Sequence, residues 1–216
     1  MTRIKICGIT RMEDALSAAR CGADALGFNF SQQSPRCVTT DAARSLVRGL
    51  PPFLEAVGVF VEQPPEEVEE ICRYCGLGMA QLHGSRYGDM ETNAVKGVRV
   101  LKVFRPEAGF TPDVVRSFQQ ATGVSAFLFD TYRPGMEGGT GALMEETMAE
   151  MIFSALPEGC FGVLAGGLNP DNVGEAIRTL HPYAVDTASG VEAAPGRKDK
   201  LKMQAFVQAV RQADRS

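Results

Sequence analysis

Two residues of this 216-residue chain combine a reactive side chain with a position that would present it to a ligand. Cys7 closes the short apolar run Ile4–Cys7 and is followed by Gly8. Asp130 closes a second run, Ser125–Asp130, in which Ala126-Phe127-Leu128-Phe129 is wholly apolar. A thiolate is a competent base or nucleophile. A carboxyl group at the edge of an apolar strand can be kept protonated by partial desolvation, which suits a general acid. Each residue also has a plainer reading: a small buried cysteine, and an aspartate capping a turn with Thr131. Cys7 differs from the cysteines at 21, 37, 72, 75 and 160 in ending a strand that points toward the same end of the fold as Asp130.

Glycine-rich turns supply a second kind of chemistry. Ala165-Gly166-Gly167-Leu168 and Thr187-Ala188-Ser189-Gly190-Val191 each follow an apolar run. Glycines let backbone N–H groups approach an anion, and the Ser189 hydroxyl adds a donor. Either pair alone could simply make a tight turn; two at successive strand ends point to phosphate. The stretch 135–141 after Asp130 is a candidate third edge or lid. Arg36, in Ser34-Pro35-Arg36, could hold a carboxylate bidentately or be a solvated loop arginine. His83, in Gln81-Leu82-His83-Gly84, reads as a structural hydrogen-bonding histidine or a base. His181 reads as a surface turn residue. Asp186 either orients the Ser189 loop or faces the same mouth as Cys7.

The elements that must position these residues repeat regularly. Strand-like runs at Ile4–Cys7, Ala25–Phe30, Glu55–Phe60, Met79–Leu82, Val98–Phe104, Ser125–Asp130, Phe161–Ala165 and Tyr183–Asp186 alternate with amphipathic helical stretches, the fourth expected over about 86–95 and the seventh from Pro170. Alternation implies a parallel sheet. Eight units of about 25 residues each favour a single-domain (β/α)8 TIM barrel over residues 1–216 rather than an open doubly wound sheet. In that fold ligands meet the C-terminal strand ends, where Cys7, Asp130 and both glycine pairs fall.

The composition narrows the function further. A net charge of −4 offers no global basic field for nucleic acid, so a phosphate site must be local. No apolar run reaches the roughly 18 residues of a membrane span, and the N-terminus carries no secretory pattern. The six cysteines therefore read as reduced thiols of a cytoplasmic protein. Cys72 and Cys75 have CxxC spacing within a helical pattern, without a second pair or a nearby histidine, which argues against zinc. No GxGxxG opens a helix and no P-loop is present, so nothing calls for a cofactor or a metal. Monomer and homodimer both remain open.

Taken in order along the chain, Lys5-Ile6-Cys7-Gly8-Ile9-Thr10, Gly22-Ala23-Asp24-Ala25-Leu26-Gly27-Phe28, Ser34-Pro35-Arg36, Gln81-Leu82-His83-Gly84, Phe129-Asp130-Thr131, Gly138-Gly139-Thr140-Gly141, Leu164 to Val173, and Ser189-Gly190-Val191-Glu192 resemble the phosphoribosylanthranilate isomerase family, from residue 3 to about 207. The resemblance implies an Amadori rearrangement of a sugar phosphate in tryptophan biosynthesis. It implies Asp130 as the acid on the furanose oxygen and Cys7 as the base at C2. Arg36 then lies near the anthranilate moiety, and Gly166, Gly167, Ser189 and Gly190 form the phosphate loops. His83 and Asp186 join the candidate substrate contacts. The chain departs from the family pattern at Ala142-Leu143-Met144-Glu145-Glu146, where a Lys-x-Phe-Asp-Trp-like stretch is usual, and it has no tryptophan. Ala188 also replaces a common serine. Rival readings are an indole-glycerol-phosphate synthase, for which Lys102 is the one comfortable lysine, a histidine-pathway aminoaldose isomerase, which would want an acid in place of Cys7, and a barrel that binds without turnover.

Overall fold

Strand β1 (Arg3–Cys7) buries Ile4 and Ile6 on one face and Lys5 on the other, the pattern of a strand covered on both sides. The computed structural model describes residues 1–107, 109–130 and 141–215. Within them the chain alternates β1, α1 (Met12–Cys21), β2 (Ala25–Asn29), α2 (Thr40–Arg48), β3 (Glu55–Phe60), α3 (Pro65–Cys75), β4 (Met79–Leu82), α4 (Asp89–Ala94), β5 (Arg99–Phe104) and α5 (Pro112–Thr122). It continues with β6 (Ala126–Asp130), α6 (Gly141–Ser154), β7 (Phe161–Ala165), α7 (Val173–Leu180), β8 (Ala184–Thr187), a short 3-10 turn, β9 (Glu192–Ala194), β10 (Arg197–Lys198) and α8 (Lys200–Ala213). Strands β1 to β8 pair in parallel in sequence order, and β8 returns to β1 to close the barrel, as the eight-unit alternation predicted. Lys5 lies opposite Asp186 in the closing pair.

Alternation assigns each strand residue a side. The outward residues Ile4, Ile6, Leu26, Phe28, Phe60, Leu82, Leu164 and Val185 join the apolar faces of the helices, among them Val68, Ile71, Phe206 and Val210, in one continuous core. Met79, Leu101, Val103, Ala126, Leu128, Val163, Ala165 and Ala184 fill the interior of the barrel. Lys5, Gln81 and Asp186 share that inward side and are buried too, which makes part of the barrel's inner layer polar.

Three local expectations change. Helix α4 is shorter than predicted because Tyr87, buried, donates its hydroxyl to Gln63 O at 2.8 Å and holds the preceding residues as a loop. Helix α7 begins at Val173 rather than Pro170. Asn169 Oδ1 accepts from Asp171 N and Asn172 Oδ1 from Asn169 N, both at 2.8 Å, so side chains take up the N–H groups of a turn before the helix starts. The antiparallel β9–β10 hairpin was not foreseen, since strands of three and two residues carry no readable period. Residues 135–140 of the proposed lid lie outside the described residues.

Candidate active site

Cys7 and Lys5 point inward from β1 and converge on one volume. A Cβ on Gly27 of β2 would stand 2.6 Å from Cys7 Sγ and 3.1 Å from Lys5 Nζ, so only glycine fits between them. Lys5 Nζ donates to Asp186 Oδ1 at 2.9 Å, with only 5% and 9% of the two side chains exposed. Burial pushes the Cys7 thiol above its ordinary value, Lys5 pulls it back, and Asp186 adds to the rise. Burial also works against the Lys5 charge, but Asp186 and the Cys7 sulfur outweigh it and hold the ammonium above its usual range. Asp186, read from sequence as orienting the Ser189 loop or facing the mouth, accepts from Lys5. It faces the barrel interior, and its carboxylate is engaged by Lys5.

Asp130 ends β6 two residues beyond Leu128 of the barrel interior, on the same inward side. Its Oδ2 accepts from Arg105 Nε at 3.2 Å, and His83 Nε2 stands 3.9 Å from the same oxygen. Arg105 Nη2 lies 3.4 Å from His83 Nε2, and because a guanidinium only donates, this contact assigns the ring proton to Nδ1. Burial first and Arg105 second push His83 below the usual imidazole value, while Asp130 pulls the other way. The ring is thus neutral at neutral pH, and its contact with Asp130 is dipolar rather than an ion pair.

The two glycine turns are built against each other. Gly166 and Gly167 adopt left-handed φ values of 98° and 70°. Thr187 Oγ1 donates to Leu168 O at 2.6 Å, and a Cβ on Gly190 would stand 1.9 Å from that same carbonyl. Loops after β7 and β8 therefore pack backbone to backbone, with Ser189-Gly190-Val191 forming the 3-10 turn.

Arg36 is engaged by a protein carboxylate. Its Nε and Nη2 donate to the two oxygens of Glu192 at 2.8 and 2.7 Å, the bidentate geometry expected of it, with an unforeseen partner. Glu192 Oε1 also accepts from Lys198 Nζ at 2.9 Å and Gly196 N at 3.2 Å, and Lys198 Nζ reaches Ala188 O at 3.0 Å. Burial alone would raise the Glu192 carboxyl, but the hydrogen bonds from Arg36 and Lys198 outweigh it and hold it below the carboxylate range. The cluster ties the loop after β2 to the β9–β10 hairpin and the loop after β8. Lys102, by contrast, lies between the inward residues Leu101 and Val103, on the helix side of β5. There it donates to Tyr87 O at 2.7 Å and lies over the Phe118 ring. Burial lowers its ammonium to about 8, but it does not face the mouth, which removes the lysine a synthase reading needed. Cys72 and Cys75 are buried on α3, where burial pushes Cys72 up to about 12 and Cys75 Sγ donates to Thr40 O at 3.3 Å.

The thiol of Cys7 and the carboxyl group of Asp130 end inward-facing strands at the end of the barrel that carries the paired glycine loops. Residues 4–209 match the family model of N-(5'phosphoribosyl)anthranilate (PRA) isomerase. The chain belongs to this family of isomerases. A relative from Chlorobium luteolum, an N-(5'-phosphoribosyl)anthranilate isomerase, is 74% identical over 214 residues, covering 99% of each chain. A crystal structure of a phosphoribosyl anthranilate isomerase in complex with reduced 1-(o-carboxyphenylamino)-1-deoxyribulose 5-phosphate superposes with a TM-score of 0.82 at 33% identity, covering 98% of this chain and 100% of the other. Monomers generated from the dimeric phosphoribosylanthranilate isomerase of Thermotoga maritima give a TM-score of 0.79 at 33% identity, covering 98% of this chain and 99% of the other.

Four residues that contact these side chains were not singled out as candidates by the sequence reading: Lys5, Arg105, Glu192 and Lys198. Lys5 had a signal, since residues two apart on a strand share a face, and Lys5 precedes Cys7 by two. The Arg36–Glu192 pair spans 156 residues, and no local pattern announces it.

Proposed function

We propose that this isomerase converts N-(5-phosphoribosyl)anthranilate into 1-(2-carboxyphenylamino)-1-deoxyribulose 5-phosphate by general acid–base catalysis between Asp130 and Cys7. The observation that supports the reading most is the presence of both groups on the inward side at the C-terminal strand ends. In the first step the Asp130 carboxyl group gives a proton to the furanose ring oxygen. The C1–O bond breaks, and the anthranilate nitrogen supplies the pair that forms a protonated Schiff base. The Cys7 thiolate then removes the C2 proton, and the released pair neutralises the iminium to give an enolamine. Tautomerisation moves a proton from the C2 hydroxyl to C1 and leaves the ketone. The sequence transfers protons only, and no redox equivalent enters or leaves.

The loops supply the binding. In this reading the backbone N–H groups of Gly166, Gly167 and Gly190 and the Ser189 hydroxyl take the phosphate. Glu192 takes one N–H each of Nε and Nη2 of Arg36, so a contact with the substrate carboxylate falls to the remaining donors on Nη1 and Nη2. Neutral His83 hydrogen-bonds near the reacting ring. Asp186 acts one layer deeper, through Lys5.

A homodimer is the assembly we propose, built on the N-terminal face of the barrel. Phe53, before β3, is fully exposed and held at a φ of 67°. A left-handed conformation in a bulky residue costs about 1–2 kcal/mol. It borders an open cavity of about 700 Å3 lined by Val57, Met79, Leu101, Val163 and Ala184, with exposed Phe161 and Tyr183 at its rim. An aromatic knob beside an open cavity whose lining also includes Arg3, Asp24, Glu55 and Arg99 suits a second copy related by a two-fold axis. Residues 1–216 form a single domain in this reading. Cytoplasmic residence is supported by six free cysteines, and among the described residues no helix is long and apolar enough to cross a membrane.

The activity is tested by generating the substrate in situ and following its anthraniloyl fluorescence. Loss faster than spontaneous hydrolysis, without matching release of anthranilate, is the expected result. Loss at the spontaneous rate would leave only a binding role.

A further inference from the structure

The proposed base stands in surroundings that disfavour a thiolate, and the barrel holds one group suited to offset this. Lys5 is the other inward residue of β1, and its ammonium meets Cys7 Sγ across the space that Gly27 leaves open. It is buried, and its position is fixed at the far side by the 2.9 Å bond to Asp186, directly opposite on β8. A buried lysine is rare, and one held by a single carboxylate with two further donors remaining is a charge placed to face something else. We propose that Lys5, anchored by Asp186, is the positioning residue for Cys7: its ammonium stabilises the thiolate and fixes the sulfur at the mouth of the barrel. The inference rests on Cys7 being the base.

The charges around the sulfur can be named from every side. Lys5 lies below it on the same strand, Asp186 across β8, Lys198 on β10, and Arg36 on the loop after β2. Lys5 and Lys198 favour the thiolate, and Asp186 disfavours it. Lys5 acts more strongly on the sulfur than Asp186 does. The two members of the buried pair therefore push Cys7 in opposite directions. That asymmetry separates a charge role from a merely structural one, because loss of either partner would harm packing alike.

The test is the pH dependence of iodoacetamide alkylation at Cys7, followed by peptide mass spectrometry on the folded protein, with Lys5→Gln, Lys5→Arg and Asp186→Asn compared with the parent. Cys7 is partly exposed. Lys5→Gln is expected to move the alkylation midpoint up by at least about one pH unit, which slows alkylation about tenfold below the midpoint. Asp186→Asn is expected to move it down, and Lys5→Arg to leave it near the parent value. Because Lys5→Gln strands a buried carboxylate, the Lys5→Gln/Asp186→Asn double variant is measured beside it as the folding control. It should still show a raised midpoint, though smaller than that of Lys5→Gln. Unmoved midpoints, or shifts of the same sign in both single variants, would overturn the proposal. The readout needs no turnover, so it is separable from the mechanism: a Cys7→Ser protein that still isomerises sinks the base assignment, whereas a dead Cys7→Ser protein with an unmoved Lys5→Gln midpoint sinks the role of Lys5 alone.

Discussion

A thiol used as a base in a partly desolvated site works against its own burial, because desolvation penalises the thiolate more than the thiol. At Cys7 burial dominates, and the nearby cations recover only part of the loss. The proposed enzyme should therefore show a kcat/KM that climbs with pH as the thiolate fraction grows, with its midpoint above the value of a free cysteine, about 8.5. A profile flat across pH 6–9 would contradict this. Glu192 makes a second residue-scale case. It neutralises Lys198, whose side chain is fully buried, and also grips Arg36. Removing one partner of a buried pair strands the other, at about 3–5 kcal/mol. Glu192→Gln should lower the melting temperature accordingly. The folded carboxyl lies below its unfolded value, so its contribution is fully present above about pH 4.3 and disappears as pH falls through the folded value. The gap in melting temperature between parent and variant should then close in acid; a gap that persists there would contradict the assignment.

Among elements, the two glycine loops act as one unit. Gly190 lies against the Leu168 carbonyl so closely that a methyl group would force the loops after β7 and β8 apart. Gly190→Ala should therefore raise KM and weaken competitive inhibition by inorganic phosphate by at least about tenfold, the worth of one charge-assisted hydrogen bond of about 1.5–3 kcal/mol. An unchanged KM would remove these loops from the phosphate site. The barrel strands were readable because inward and outward faces are both filled, leaving short continuous apolar runs bounded by turns. Strand ends then followed, and with them Cys7, Asp130 and the glycine pairs. The β9–β10 hairpin was not readable, since its five residues owe their form to Glu192 and Lys198 rather than to any period. Nor was the start of α7, where Asn169 and Asn172 displace Pro170 from the first turn. Buried charge pairs such as Lys5–Asp186 depend on which strands meet when the barrel closes, and that contact is 181 residues apart in sequence.

For the whole molecule, the two ends of the barrel divide the work. The proposed chemistry occupies the C-terminal mouth, while the N-terminal face carries an open cavity of mixed apolar and charged lining and the strained, exposed Phe53. Phe53→Asp should convert the proposed homodimer to a monomer by light scattering while turnover per chain persists, because no proposed catalytic group lies at that end. A parent protein of monomer mass, or a variant of unchanged mass, would contradict the assembly. The central claim is the pairing of Cys7 with Asp130, and the most direct measurement is the catalysed loss of substrate fluorescence by the parent, Cys7→Ser and Asp130→Asn proteins side by side. General acid and base groups each contribute about 10^2–10^4 in rate, so both variants should fall by at least about a hundredfold with their folds intact. A variant that turns over at the parent rate would show that its residue does not carry the proton assigned to it.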